Sequence, residues 1–147
     1  MAETESLIVT AQPTLAYAGL EEAFPEVDCG IRPYGSRVIV QIRSPKSRTE
    51  AGIHVPLESQ DTELWNTQVA KVIELGPVTF KNRDTLDPWP EGSWCQPGIF
   101  VRVPKYGGDR WEVPVSGAVK KALFVIFNDL DIIGEVTGDP LKVVAFL

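Results

Sequence analysis

Histidine and cysteine are nearly absent from this chain, whose 147 residues hold one histidine and two cysteines. His54 without Cys or further His at ligand spacing supplies no metal site, since zinc needs three or four such side chains. Cys29 and Cys95 are too few for a disulfide framework and read as free, buried or half-buried thiols. Neither has a histidine nearby in sequence, and no nucleophile elbow is present. Gly107-Gly108 joins two strand-like segments and opens no helix, so it is not a phosphate loop. The acids are scattered among turns, where solvation explains them. The sequence therefore predicts a protein that is not an enzyme and needs no cofactor.

Positive charge is also scarce. Fourteen Lys and Arg face twenty Asp and Glu, a net charge of −6 and a pI near 4.8. The one local basic grouping is Arg43, Lys46 and Arg48. Sequence-independent nucleic-acid binding draws its affinity from basic groups that displace counterions, so no nucleic-acid partner is expected. No apolar run approaches the span of a membrane helix, and no membrane partner is expected. The opening MAETESLIVTAQ carries acids where a secretory signal carries basic residues, which points to a cytoplasmic protein.

What is present is a globular composition, 44% hydrophobic and 23% charged, with twelve Pro and twelve Gly. This length supports one domain with extensions, and the many turn formers favour an all-β plan. Residues 1–29 read as an N-terminal extension. Within it Leu7-Ile8-Val9 suits a short strand, and 14–24 suits a short helix with Thr14 as N-cap, weakened by Gly19. An arm on a neighbour and a loosely ordered tail are the other readings. Arg37 to Ile42 alternates, with Val38, Val40 and Ile42 on one face and Ile39 stiffening the other, the signature of a half-buried strand. A polar loop follows, about 44–63, in which a lone apolar pair, Ile53 and Val55, comes after Gly52.

A second strand runs from Thr67 to Gly76, with Val69, Lys71, Ile73 and Leu75 set against Gln68, Ala70, Val72 and Glu74. An irregular insertion at about 77–97 carries Trp89 between two prolines and Trp94 before Cys95. Such a segment suits a stiff hairpin or lid. Its tryptophans serve either as an aromatic contact surface or, the preferred reading, as a cover folded back over the barrel end. Ile99 to Val103 is a third strand. Lys105 to Arg110, with Gly107-Gly108 at its tip, has the shape of a two-residue hairpin returning along Trp111 to Val115. Ala122 to Phe127 is a buried strand and Asp131 to Val136 a short last one. The apolar tail, 137–147, would be an aggregation hazard if bare, so it should pair with its own barrel or with a neighbouring subunit. Five or six short strands suggest a small closed or nearly closed β-barrel.

These residues carry a family resemblance. Ile31-Arg32-Pro33-Tyr34-Gly35-Ser36-Arg37-Val38-Ile39-Val40 resembles the opening of the GroES-like co-chaperonins, the lids of the chaperonin ring. Ala51-Gly52-Ile53-His54-Val55-Pro56 stands where that family carries its mobile-loop motif, a Gly followed by an apolar tripeptide. Residues 67–76, then Gln96 to Val101, then Asp129 to Gly134 resemble its later strands in order. The resemblance covers about 30–136. His54 within the tripeptide, Gln68 in place of a common Gly, and the Trp- and Pro-rich insertion depart from the pattern. Such divergence resembles the co-chaperonins encoded by bacteriophages, which would act in the host cytoplasm.

The resemblance implies a homo-oligomer, a heptamer, that caps an ATP-bound chaperonin (GroEL-type) ring and encloses an unfolded client. It implies chaperonin binding through Gly52, Ile53, His54 and Val55. It implies subunit contacts in which the first strand of one subunit meets the last of the next, through Ile31, Val38, Val40, Ile132, Ile133 and Val136. Burying Ile53 and Val55 contributes about 1.5–3 kcal/mol each. Ordering each loop residue costs about 1–2 kcal/mol, so one loop binds weakly and several linked loops bind by avidity. A virion structural β-barrel module and an oligonucleotide-binding barrel are the alternatives. The second needs a basic, aromatic strand face, which the charge balance opposes.

Overall fold

The computed structural model describes residues 19–44, 68–117 and 121–143, together with the backbone of 15–16 and 48–49. In chain order the elements are β1 (Leu15–Ala16), α1 (Leu20–Ala23), β2 (Arg37–Ile42), β3 (Arg48–Thr49) and β4 (Val69–Leu75). Then come β5 (Phe100–Arg102), β6 (Asp109–Pro114), β7 (Lys121–Asn128), a 3-10 turn (Asp129–Asp131) and β8 (Gly134–Glu135). Six strands form one antiparallel sheet in the order β6-β7-β2-β4-β5-β8, and β1 and β3 form a separate ribbon. The fold is all-β with almost no helix.

Strand β2 lies at the centre because both of its faces are apolar. Val38, Val40 and Ile42 enter the main core with Ala70, Val72, Val101, Leu123, Val125 and Phe127. Ile39 points the other way, into a second cluster with Cys29, Ala122 and Phe124, closed by Trp111 and Val113. β7 reads as a continuous apolar run for the same reason. Its residues alternate between the two clusters, so neither face is left for solvent. Phe80 and Cys95 from the insertion and Ile132 after the 3-10 turn complete the main core.

Strand β4 does not keep the expected alternation. Ile39 pairs with Glu74 but Val40 pairs with Val72, so Ile73 is an extra residue in the ladder. This β-bulge shifts the side-chain phase by one. Ala70 and Val72 face the main core before it, and Leu75 packs against that core after it. Simple alternation had grouped Leu75 with Val69 and Ile73 instead.

Three further expectations are corrected. The helix expected over 14–24 is confined to Leu20–Ala23, while Leu15–Ala16 is a strand paired with Arg48–Thr49. Gly19, at the helix start, offers no capping side chain, and Pro25 follows its end. The possible strand at 7–9 lies outside the described residues. The Gly107-Gly108 turn does not make a hairpin: β5 pairs with β4 and β8, and β6 pairs with β7 along its whole length. Both glycines have positive φ, as the turn requires. A Cβ on Gly108 would also sit 2.6 Å from Val125 Cγ1 and 2.9 Å from the Ile126 carbonyl. The glycine is needed for close approach to β7 as the chain crosses over. Finally, the last strand is reduced to Gly134–Glu135, because Asp129–Asp131 turns as 3-10 helix.

The tail begins on its own subunit. Leu141 and Val143 pack with Ala23, Phe24, Val69, Phe100 and Val136. Residues 144–147 lie outside the described residues.

Candidate functional site: the long connection between β2 and β4

β2 and β4 are antiparallel neighbours whose last pair is Ile42 with Ala70. The Arg43 N–H still donates to the Val69 carbonyl at 2.9 Å. The chain thus leaves the sheet at Ser44 and returns at Gln68 on the same end. Adjacent strands need only two to five residues to turn, and an insertion beyond about 12–15 residues at such a place marks function rather than economy. Gly52, Ile53, His54 and Val55 lie within this connection and outside the described residues.

The roots are built of buried polar contacts. The Ser44 N–H donates to the Ala23 carbonyl at 2.7 Å, so the first loop residue is held against α1. Gln41 Nε2 donates to the Pro25 carbonyl at 2.8 Å. Arg43 Nη1 donates to the carbonyls of Pro140 and Val143, each at 2.8 Å. On the returning side the Val103 N–H donates to the Gln68 carbonyl at 2.8 Å, and Arg102 Nη2 donates to Gln68 Oε1 at 3.2 Å. Arg43 is 2% exposed; this member of the local basic grouping is a buried tether. The expected loop from 44 is also shorter at its start, since Ser44 is buried and Arg48–Thr49 is paired.

The insertion sits at the opposite end of β4, beyond Leu75. A Cβ on Gly76 would lie 2.3 Å from the Gly35 carbonyl, so the chain passes there in backbone contact with the start of β2. Phe80, Trp89 and Trp94 then form an aromatic cluster with centroids 5.0–5.8 Å apart. The tryptophans therefore cover the end of the core, as the preferred reading expected. The Phe80 N–H donates to Asp129 Oδ2 at 2.9 Å in a buried bond, which ties the insertion to the 3-10 turn.

The residues read as subunit contacts divide by exposure. Ile31 is 42% and Ile133 60% exposed. Val136 is half-buried, against the cluster around Phe24. Val38 and Val40 are wholly enclosed in the subunit's own core, and Ile132 is buried. Their side chains have no face to present, because the sheet and the insertion cover them first.

No set of three His, Cys, Asp or Glu side chains could hold a metal among the described residues. Both cysteines are free and buried. Burial, with the Glu135 charge nearby, pushes the Cys95 thiol up to about 11, away from the thiolate needed for chemistry. Burial also lowers Arg110, whose guanidinium donates to the carbonyls of Gly107 and Lys105 and so holds the crossover turn. A cleft of about 530 Å³ between the insertion and the 3-10 turn carries Lys81 and Arg83 beside Asp84, Asp129 and Asp131, an excess of one acid. No helix among the described residues is long and apolar enough to cross a membrane.

The described residues thus form an all-β domain with a long connection rooted at one end of β4 and an aromatic cover at the other. The family model described as Cpn10, chaperonin 10 Kd subunit, matches residues 30–136. That is most of the chain, and the chain belongs to this family. It is similar to the Co-chaperonin GroES of Rhodothermus marinus, 27% identical over 104 residues that make up 71% of this chain and 89% of the relative. Membership supports a co-chaperonin role in general terms.

Sequence reasoning missed Gln41, Arg43 and Asp129 as structural anchors. The available signal was polar residues in strand phase with Ile39. Gln41 and Arg43 occupy positions i+2 and i+4 from that buried side chain, so they lie on the same face.

Proposed function

We propose that this protein is a lid that caps an ATP-loaded chaperonin ring and encloses an unfolded client. The observation that carries the reading is the family match over 30–136, which includes the long connection together with both strands that root it. Gly52-Ile53-His54-Val55 is the docking segment, with Ile53 and Val55 inserted into an apolar groove of the chaperonin. A single segment binds weakly, because the gain of about 1.5–3 kcal/mol per buried side chain is offset by about 1–2 kcal/mol for each residue ordered. Seven subunits in a ring raise the apparent affinity, since each later contact forms at an effective concentration of about mM. Weak single contacts also permit release.

Subunits meet head to tail, the geometry that closes a ring. Ile31 and Ile133 supply the apolar contacts, with Val136 at the margin. Val38, Val40 and Ile132 act from behind, by holding the strands that carry those contacts.

The test is Ile53→Asp. The charged side chain abolishes co-sedimentation with an ATP-loaded chaperonin ring, while sedimentation velocity shows an unchanged lid oligomer. Co-sedimentation at the wild-type level refutes the assignment. Restored refolding of a lid-dependent client by the wild-type protein separates this reading from a virion module or an oligonucleotide-binding barrel.

A further inference from the structure

The described parts of the segments outside the family match, 19–29 and 137–143, converge on one place. Three residues at and just beyond the end of β2, Gln41, Arg43 and Ser44, receive them. Gln41 Nε2 donates to Pro25, Arg43 Nη1 to Pro140 and Val143, and the Ser44 N–H to Ala23. Ala23 and Phe24 from one extension and Leu141 and Val143 from the other pack in a single cluster over Val69, the first residue of β4. Phe24 meets Phe100 with ring centroids 5.1 Å apart. The β1 strand of the N-terminal extension pairs with β3 just beyond the root. On the outgoing side Gln41, Arg43 and Ser44 are thus held by segments outside the family match, whereas Gln68 on the returning side is held by Arg102 and Val103.

Arg43 is the centre of this arrangement. Its carbonyl partners close a single helical turn in which the Lys142 and Val143 N–H groups donate to Asp139. Carbonyls at the end of such a turn carry partial negative charge, and a guanidinium presents several donors in a fixed plane to meet them. A buried cation is stable only with such partners.

We infer that Arg43 is a positioning residue: it clasps the C-terminal turn against the root of the β2–β4 connection and so fixes Ser44, where the chain leaves the sheet, before the docking segment binds. This rests on the reading of that connection as the chaperonin-binding loop. A root already held does not have to be ordered again on binding, so the clasp raises affinity by pre-organisation.

The experiment uses the full-length wild-type protein, Arg43→Met, Arg43→Lys and a deletion of 141–147. Amide hydrogen exchange is measured on the free lid, and affinity is measured against an ATP-loaded chaperonin ring. In Arg43→Met the amides of Ser44 and Val143 exchange about tenfold faster or more, as expected for local opening. The amides of Ile39 and Val125 are unchanged. Affinity for the ring falls several-fold with the lid oligomer intact, and Arg43→Lys recovers part of both effects. The deletion removes the Val143 acceptor, leaves Arg43 in place and accelerates Ser44 in the same way, which decides the matter if Arg43→Met does not fold. Unchanged exchange at Ser44 in the variants overturns the clasp. Faster exchange with wild-type affinity overturns its positioning role. A wild-type lid that ignores the ring refutes the functional reading instead, and the exchange comparison still decides the clasp.

Discussion

Gly108 and Cys95 show how much single positions carry here. At Gly108 the backbone has φ +74 and the space a Cβ would fill is taken by Val125 and the Ile126 carbonyl. Gly108→Ala combines a left-handed penalty of about 1–2 kcal/mol with overpacking of about 1–3 kcal/mol. A loss of about 2–5 kcal/mol is expected from urea unfolding. Gly107, also left-handed, has open space around its Cβ position. Gly107→Ala therefore loses only the backbone part, and equal losses would show that contact with β7 is not the constraint. Cys95 is 4% exposed, and its thiol titrates near 11 rather than the ordinary 9.0. The folded state holds its proton longer than the unfolded chain. Its contribution is therefore complete below pH 9 and is lost as pH rises from 9 toward 11. Wild-type stability should fall more steeply across that interval than that of Cys95→Ala. Parallel pH profiles would count against the shift. At neutral pH an alkylating reagent should leave Cys95 unmodified until the protein unfolds.

At the scale of elements, the insertion depends on one unusual residue. Phe80 is 2% exposed yet has φ +58, a conformation that a bulky side chain adopts only when its surroundings enforce it. Those surroundings are Trp89 and Trp94 on its ring and Asp129 on its N–H. Phe80→Ala should cost about 3–5 kcal/mol. Phe80→Gly removes the same ring but relieves the left-handed strain, so it should be no less stable than the Ala variant. Thermal unfolding of the pair decides this, and a Gly variant clearly below Ala would mean that the conformation is not costly. The β4 bulge acts at the same scale. By adding Ile73 it lets both Val72 and Leu75 reach the main core from one strand, a phase change that no simple period describes.

For the whole molecule, the division between core and contact surface predicts two kinds of variant. Ile133→Asp, at a position 60% exposed, should dissociate the oligomer while leaving a folded subunit with wild-type circular dichroism. Val40→Ala, at a fully buried position, should lower subunit stability by about 1.5–3 kcal/mol and affect assembly only through that loss. Sedimentation velocity beside urea unfolding separates them. Assembly that tolerates Ile133→Asp would remove that residue from the interface.

Much of this architecture was legible in the chain, because the physics behind it is local. Alternation of β-branched residues in Arg37–Ile42 and the apolar run of Lys121–Asn128 require burial wherever the strands end up, so both strands could be placed from composition and period. The order of motifs across 30–136 was enough to place the family. Partner choice was not legible, since it depends on contacts far apart in sequence. Gly107-Gly108 is competent for a hairpin, yet β6 chose β7 over β5, where six cross-strand pairs outweigh a short local return. Ile132 and Ile133 are adjacent and chemically alike, but only the fold could turn one inward and the other to solvent. Arg43 stands in sequence only as one member of a local basic grouping, and it is the fold that brings Pro140 and Val143, about a hundred positions away, to accept from its guanidinium.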